Sequence, residues 1–382
     1  MAHIVMVLIG DIRYDGRVRK EIRSLITIGH QVELVVSEFG KGGSDGGDLG
    51  IKTHPVPTTL WSSPLRNFCE QLEFNRTAAS IVKQLRPTHV HCHDLSTLLA
   101  GVWARKVIKA TLTFDAHELM PESYGGIRES IWGYIEKKCI GSCDRIVMPE
   151  KNRIAYFKRK YPTIPEPLLV ENVPCKSDLP AERFDLFRSL YPIRKDQKII
   201  LYTGLVGLGR HIEDLIDSIR ISSEEFVLVI LGVSYKGYEK TLARHVQKLG
   251  LINRIFFHEA VPYTKILEYM ASCDIGTAFY QNTNVNNYYC ASNKVYEYIA
   301  LNKIVLTNNY PGLVETVEKH QQGVCLGEVT GRSLQQAYSR ASDPALVTPG
   351  KKKFLWEDQQ HALFDLYNDS LKQIHEEQMT GS

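Results

Sequence analysis

Short, continuously apolar runs, each ending in a polar or glycine-rich loop and followed by an amphipathic helix, recur along this chain. The first is HIVMVLIG, residues 3–10. A strand that is apolar at every position is buried on both faces, which is the habit of parallel sheets. The loop DIRYDG follows, then RVRKEIRSLITIG, with Val18, Ile22 and Leu25 on one helical face and Gly29 as its stop. The rhythm continues through strands QVELVVSE, IKTHPVP, HVHCHDL, TLTFDAHEL and DRIVMPE, with helices over 66–85, 95–108 and 128–142. It resumes with KIILYTG, a glycine-rich loop and a helix over 211–221. Strands FVLVILG, RIFFHEA, DIGTAFY and IVLTNN then alternate with helices YEKTLARHVQKLG, TKILEYMASC and NKVYEYIA, and a last helix covers 356–376. Such alternation predicts an α/β protein built on doubly wound parallel sheets.

The chain's 382 residues are enough for two or three domains, each with its own core. The pattern resets over residues 174–197, PCKSDLPAERFDLFRSLYPIRKDQ, which is polar and rich in proline. We therefore expect a first Rossmann-like domain over 1–178, a second over 179–355, and a terminal helix over 356–382 crossing back to the first. Two such domains make a cleft between facing carboxyl ends of strands, where open α/β sheets bind ligands. Net charge is 46 − 43 = +3, too weak to point to nucleic acid. The cysteines (69, 92, 139, 143, 175, 273, 290, 325) include no CxxC, which fits reduced thiols in a cytoplasmic protein. The opening run is too short to span a bilayer and lacks a basic leader, so a signal peptide is not expected.

Two stretches carry chemistry in the second half. In Tyr202-Thr-Gly-Leu-Val-Gly-Leu-Gly-Arg210-His211, Gly204, Gly207 and Gly209 lie between a strand and a helix, where glycine permits close backbone approach to a ligand. Arg210 suits a phosphate there, although a glycine-rich connection with a solvated arginine reads equally from the residues alone. In YYCASNKVYEYIALNKIVLTNN, residues 288–309, Ser292 is placed as an N-cap, with Asn293 and Lys294 opening a helix. Free N–H groups and the helix dipole make an anion site. Glu297, one turn in, would repel a phosphate but suits a neutral hydroxyl pair such as a ribose. Its alternative is an exposed first-turn carboxylate.

Together these segments resemble the retaining glycosyltransferases of family 4, which have the two-domain GT-B fold. NKVYEYIALNKIVLTNNYPGLVE is similar to the second half of the family signature, "E, seven residues, E" and a following strand, with Glu297 as the second Glu. RIFFHEAVPYTKILEYMASCDIGTAFY, YTGLVGLGRHIEDLIDSI, DGRVRKEIRSLITIGHQVELV and FDAHEL also look like family segments, so the likeness spans nearly all of residues 3–326. The chain departs from the family at Tyr289, where the first Glu, which contacts the donor sugar, is expected, and at Leu205, where an Arg often follows the first glycine.

The resemblance implies a retaining, metal-independent transfer of sugar from a nucleoside-diphosphate sugar to a hydroxyl acceptor, a UDP-sugar favoured over a GDP-sugar, in cell-surface polysaccharide or glycoconjugate synthesis. Gly204, Gly207, Gly209, Arg210, Tyr289, Ser292, Asn293, Lys294 and Glu297 would bind the donor. His117, Arg210 and Lys294 would be catalytic, the two cations stabilising charge on the departing diphosphate. Asp11, Arg13, Asp15, Arg17, His93, Asp94, Asp115 and Glu118 would line the acceptor side, for a glycan, lipid-linked or small-molecule acceptor. His89, His91 and His93 share one strand face. Without helically spaced partners they are not assigned a metal, and no cofactor is expected beyond the nucleotide sugar. Arg17, Arg19, Lys20 and Arg23 suggest a basic helix face that a cytoplasmic enzyme could lay on the inner membrane. Two alternatives stand: a nucleotide-sugar epimerase of GT-B fold, and a non-catalytic sugar-nucleotide-binding subunit.

Overall fold

The computed structural model describes residues 1–38, 46–58, 64–182, 184–344, 347–350 and 352–367. Contacts divide the chain into two compact units. The first comprises residues 1–171, 284–286 and the segment from Glu357; the second comprises 172–283 and 287–356.

The first unit is built on strands β1 (His3–Leu8), β2 (Gln31–Glu38), β3 (Lys52–Pro57), β4 (His89–His93), β5 (Thr111–Asp115), β6 (Arg145–Met148) and β7 (Leu168–Leu169). They pair in the order β3-β2-β1-β4-β5-β6-β7, every pair parallel. Ile4–Leu8 of β1 are all buried, as an all-apolar run between two covering layers requires. The order reverses between β1 and β4, so the loops leaving these two strands flank the crevice at which doubly wound sheets take ligands. Residues 10–17 leave β1 there, and His93-Asp94 ends β4.

The second unit repeats the plan with β8 (Lys198–Thr203), β9 (Phe226–Leu231), β10 (Ile255–His258), β11 (Ile275–Ala278), β12 (Ile304–Asn308) and β13 (Gly323–Leu326). The order is β10-β9-β8-β11-β12-β13, again all parallel, with its switch between β8 and β11. The loops after β8 and β11 carry residues 204–211 and 279–292. Both sides of this sheet are packed: Ile200, Leu228 and Leu306 belong to one apolar cluster, and Leu201, Val229 and Val305 to the other.

Several expectations need correcting. The proline-rich stretch 174–197 is not merely a linker. It contains a short helix, Leu186–Leu190, whose Phe187 is fully buried beside Ile199 and Leu201 of β8. Helices Lys151–Lys160 and Gly331–Ala341 and strands β7 and β13 were not anticipated. In the first of these helices, six basic or polar residues out of ten mask the apolar face formed around Phe157. The helix expected over 128–142 runs Ile127–Cys139 and closes in a tighter turn, Ile140–Ser142. The last helix covers 356–367, and positions 368–376 lie outside the described residues.

The basic face expected over 17–23 does not form. Arg17 and Lys20 are 2% and 8% exposed. Arg19 and Arg23 both turn to Asp48, Arg23 at 3.1 Å. Asp115 takes the charge of Arg17 and Asp48 those of Arg19 and Arg23, and a membrane-facing stripe would need them free. No helix among the described residues is long and apolar enough to cross a membrane.

Candidate functional site

A cavity of about 580 Å³ opens in the second unit at the switch point between β8 and β11. Its floor is made by two strands that both end in glycine. Beyond β8 and β9 the chains stay zipped: Gly204 N–H donates to Leu231 O (3.0 Å) and Val206 N–H to Val233 O (2.8 Å). This depends on Gly232. A Cβ there would lie 1.7 Å from the Gly204 carbonyl oxygen, and the residue's φ is +156°. Gly204 itself has φ +118°, and a methyl at that position would stand 2.7 Å from the Lys294 ammonium. The loop and the helix Asn293–Ala300 therefore meet at Gly204.

Ser292, Asn293, Lys294 and Glu297 line the cavity from that helix, and Leu231, Val233, Ala260, Val261 and Ile266 line it from the other side. Ser292 occupies the cap position, but its hydroxyl does not cap. It pairs with the Tyr280 hydroxyl at 2.8 Å, which leaves the backbone N–H groups of the first turn without a side-chain cap. Tyr280 is fixed in turn: its N–H donates to Asn308 Oδ1 and its carbonyl accepts from Tyr310. Lys294 stands 5.3 Å from the Tyr202 ring centre. Burial holds its ammonium down at about 8, with the Arg210 charge adding to the effect and Glu297 partly offsetting it. Such a lysine gains from any dianion that enters. The cavity thus offers an apolar slot, a carboxylate suited to hydroxyls, and a cation beside a helix N-terminus.

Of the residues expected to bind donor, Gly204, Ser292, Asn293, Lys294 and Glu297 are cavity walls; Gly207, Gly209, Arg210 and Tyr289 are not among them. Arg210 stacks over Tyr280, 5.0 Å from the ring centre, one layer behind the wall. Tyr289 packs on Tyr288, ring centres 5.0 Å apart. Gly209 has φ +79°, and its carbonyl accepts from Gln281 N–H. Gly232, Val233, Val261 and Tyr280 were missed. A signal existed for Gly232, since FVLVILG ends as KIILYTG does.

The first unit holds a separate polar cluster at its own switch point. Arg17, on helix Gly16–Thr27, grips Asp115 through Nε (2.8 Å) and Nη2 (2.7 Å) and donates to Val170 O (2.7 Å). Burial works against the Asp115 charge, yet Arg17 and then His117 hold its carboxyl well below the usual range. His117 lies between two carboxylates: Nε2 is 3.0 Å from Asp115 and Nδ1 3.5 Å from Asp94. Burial opposes charge on that ring, but Asp94 and Asp115 outweigh it and lift it to about 10. His93, buried, drops to about 3 through desolvation and then the charge on His91. Burial raises Asp94 to about 6.

The other acceptor-side residues are local. Asp11 accepts from the Arg13 backbone and guanidinium, so each spends its charge on the other. Asp15 caps helix Gly16–Thr27 by accepting from Val18 N–H. Glu118 is exposed and accepts from Asn286. Arg17 is interior and structural where an acceptor contact was expected.

The histidine face on β4 gains a partner that sequence spacing did not offer. Glu21, His91, His93 and Asp115 place ligand atoms within 4.8 Å of one another, all buried. His89 stays out, bonded to Thr88. These four could hold a divalent ion only in competition with Arg17, which already covers both Asp115 oxygens and comes within 3.2 Å of Glu21. Arg17 neutralises Asp115 within this group, while burial and then the Asp115 charge raise the Glu21 carboxyl to about 8.

Residues 184–341 match the family model "Glycosyl transferases group 1", and residues 17–170 match "Glycosyltransferase Family 4". Comparison with curated proteins finds no match. Among solved structures, the chain is similar to a sucrose-phosphate synthase from Thermosynechococcus elongatus, with 15% identity, a TM-score of 0.74 and full coverage of both chains. It is also similar to Anabaena HepE in complex with UDP and glucose, with 13% identity, a TM-score of 0.73 and full coverage of both. A third is the S. aureus MnaA–UDP co-structure, with 14% identity, a TM-score of 0.63, and 96% of this chain and 97% of that one covered. Two family models lying end to end over most of the sequence, on a fold these structures share, make this chain a member of the group 1, family 4 glycosyltransferases.

Proposed function

We propose that the chain moves a sugar, with retention of anomeric configuration, from a UDP-sugar to a hydroxyl acceptor. The observation that carries this is the second-unit cavity, where Lys294, the uncapped first turn at 292–294 and Glu297 line one wall and an apolar slot faces them. In this reading the nucleobase enters the slot bounded by Val233 and Val261, and Glu297 accepts from the ribose hydroxyls. Lys294 and the N–H groups take the diphosphate, with Arg210 reinforcing the field from behind Tyr280.

Catalysis then consists of stabilising the charge that grows on the diphosphate as the glycosidic bond breaks. Fixed protein cations do this without a metal ion. No carboxylate stands ready as a nucleophile in that cavity except Glu297, which is committed to the ribose. The departing phosphate oxygen is then the base for the acceptor hydroxyl, and the acceptor sugar belongs to a cell-surface glycan or glycoconjugate. The UDP-bound Anabaena protein supports uridine as the base.

The test is calorimetric titration with UDP, GDP, ADP and dTDP on the wild type and on Glu297→Ala. Micromolar binding of UDP, lost in the variant, is expected. Absence of binding by any nucleotide to folded protein refutes the site. UDP binding with neither transfer nor hydrolysis of UDP-sugars points to a binding subunit, and epimer formation without acceptor to an epimerase.

A further inference from the structure

The loop that carries His117 is held by side chains and not by the sheet. Pairing of β5 with β6 ends one residue earlier, where Ala116 N–H donates to Val147 O (2.9 Å). At residue 117 both backbone groups turn to side chains from other elements. Its N–H donates to Asp94 Oδ1 (3.0 Å), in the turn after β4. Its carbonyl accepts from Arg153 Nη1 (2.7 Å), on helix Lys151–Lys160 after β6. Backbone polar groups away from water must be paired somewhere. These two side chains therefore fix where residue 117 lies.

Both side chains are themselves held. Arg153 is 4% exposed, and its backbone N–H donates to the Glu150 carboxylate that caps its helix (2.8 Å). Its Nη2 reaches Asn286 O (3.3 Å). Asn286 counts with the first unit and accepts from Leu119 N–H through Oδ1 (3.0 Å), so Arg153 braces the loop at two points. Asp94 stands at φ +62°, in the left-handed region. Such strain persists in a residue other than glycine only where the surroundings over-determine it. The clamp also aims the ring. Its Nε2 edge meets the fully buried Asp115 at 3.0 Å, beside His93 Nδ1 at 3.2 Å. Its Nδ1 edge faces Asp94, 30% exposed, at 3.5 Å. That separation is longer than the usual N–H···O range, so the outer ring nitrogen is not committed to Asp94.

We propose that Arg153 is a positioning residue for sugar transfer: acting with Asp94 on the backbone of residue 117, it seats the imidazole on Asp115 and leaves Nδ1–H on the open side to donate to a sugar hydroxyl. Arg153 touches no substrate in this scheme and acts only through His117. A ring displaced by about 1 Å loses the geometry, and misplacement of that size is enough to cost a large factor in rate. The inference rests on the reading of His117 as a catalytic group.

The test compares full-length wild type with Arg153→Met, Arg153→Lys, His117→Ala and Arg153→Met/His117→Ala. Thermal melting and UDP affinity report that each chain is folded. Arg153→Lys keeps a cation and one donor near the carbonyl, and covers the case in which the methionine variant does not fold. The first readout is the His117 ring titration by NMR, which needs no substrate. Loss of a nearby cation by itself favours the imidazolium and raises its titration. A ring released from its carboxylates titrates lower, by about one unit or more in Arg153→Met, with recovery in Arg153→Lys. The second readout is UDP release from UDP-glucose, UDP-galactose and UDP-N-acetylglucosamine. Here kcat should fall at least about tenfold in Arg153→Met with KM little changed, and the same substitution should add nothing in the His117→Ala background. A His117 titration that is unchanged or raised in both Arg153 variants overturns the proposal. So does an equal loss of kcat with His117 present or absent. A His117→Ala chain as active as the wild type would instead sink the reading of His117, and the proposal with it.

Discussion

Lys294 gives the cavity a pH signature that can be worked through. Its ammonium is held at about 8 in the free protein. A bound diphosphate brings negative charge beside it and returns it toward the ordinary lysine range. The nucleotide therefore binds the protonated form, and affinity must fall as pH rises through 8. With that value, the protonated fraction drops from about 0.9 at pH 7 to about 0.24 at pH 8.5, so the dissociation constant rises about fourfold, or about 0.8 kcal/mol. Binding at pH 8.5 should also draw roughly three-quarters of a proton from the buffer.

Titration calorimetry in buffers of different ionisation enthalpy reads both quantities. Lys294→Met, measured alongside, removes the ligand's own ionisation from the comparison. The variant should bind UDP more weakly by about 1.5–3 kcal/mol, the worth of a charge-assisted contact, and lose the fourfold slope. The tyrosines at the site do not interfere, since burial pushes Tyr280 up to about 12 and Tyr202 higher. A wild-type dissociation constant that is flat from pH 7 to 8.5 would refute the assignment. An equal slope in the variant would do the same, because the proton would then belong to another group.

Other consequences can be checked separately. Gly232→Ala forces a methyl onto the Gly204 carbonyl, so it should cost about 1–3 kcal/mol and weaken UDP binding, read as a lower melting temperature and a raised dissociation constant; unchanged values would show that the two loops yield freely. Arg17→Met strands Asp115 and Glu21 in the interior and should cost about 3–5 kcal/mol in denaturant melts. Replacing an exposed neighbour, Arg23→Met, should cost under about 1 kcal/mol. His117, between two carboxylates, is expected to keep both ring protons past pH 8, visible in histidine ring NMR. Its folded value of about 10 lies above the unfolded one of about 6.5, so the stability it contributes is complete below pH 6.5 and is lost as pH rises toward 10. Asp94→Asn should lower that titration and flatten the difference; a His117 that titrates near 6.5 in the wild type would contradict the geometry.

What could be read from the sequence was whatever depends on near neighbours in the chain. Strands β1, β8 and β9 were plain because Ile4–Leu8, Ile199–Tyr202 and Phe226–Leu231 are apolar for the same reason, burial on both faces. Lys294 and Glu297 could be paired in advance because residues three apart on a helix share a side. Gly232 could not be weighed, since its importance comes from lying against Gly204 in the adjacent strand. Arg17 misled for a related reason. Within RVRKEIR it looks like one cation of a basic face, but its partner, Asp115, is 98 residues away. Phe187 was hidden by its proline-rich surroundings and found its place only against β8. The helix Ile127–Cys139 shows the limit most sharply. Its outer side carries Ile127, Ile131 and Tyr134 and its inner side Trp132, Glu136 and Cys139, and no local rule says that the core takes the side with the carboxylate. Trp132 is drawn inward because Phe68, from another part of the fold, meets its ring, while Lys160 from a second helix holds Glu136 on the same side. Once that wall claims Trp132, Ile127, Ile131 and Tyr134 are left facing out, so their exposure follows from tertiary packing.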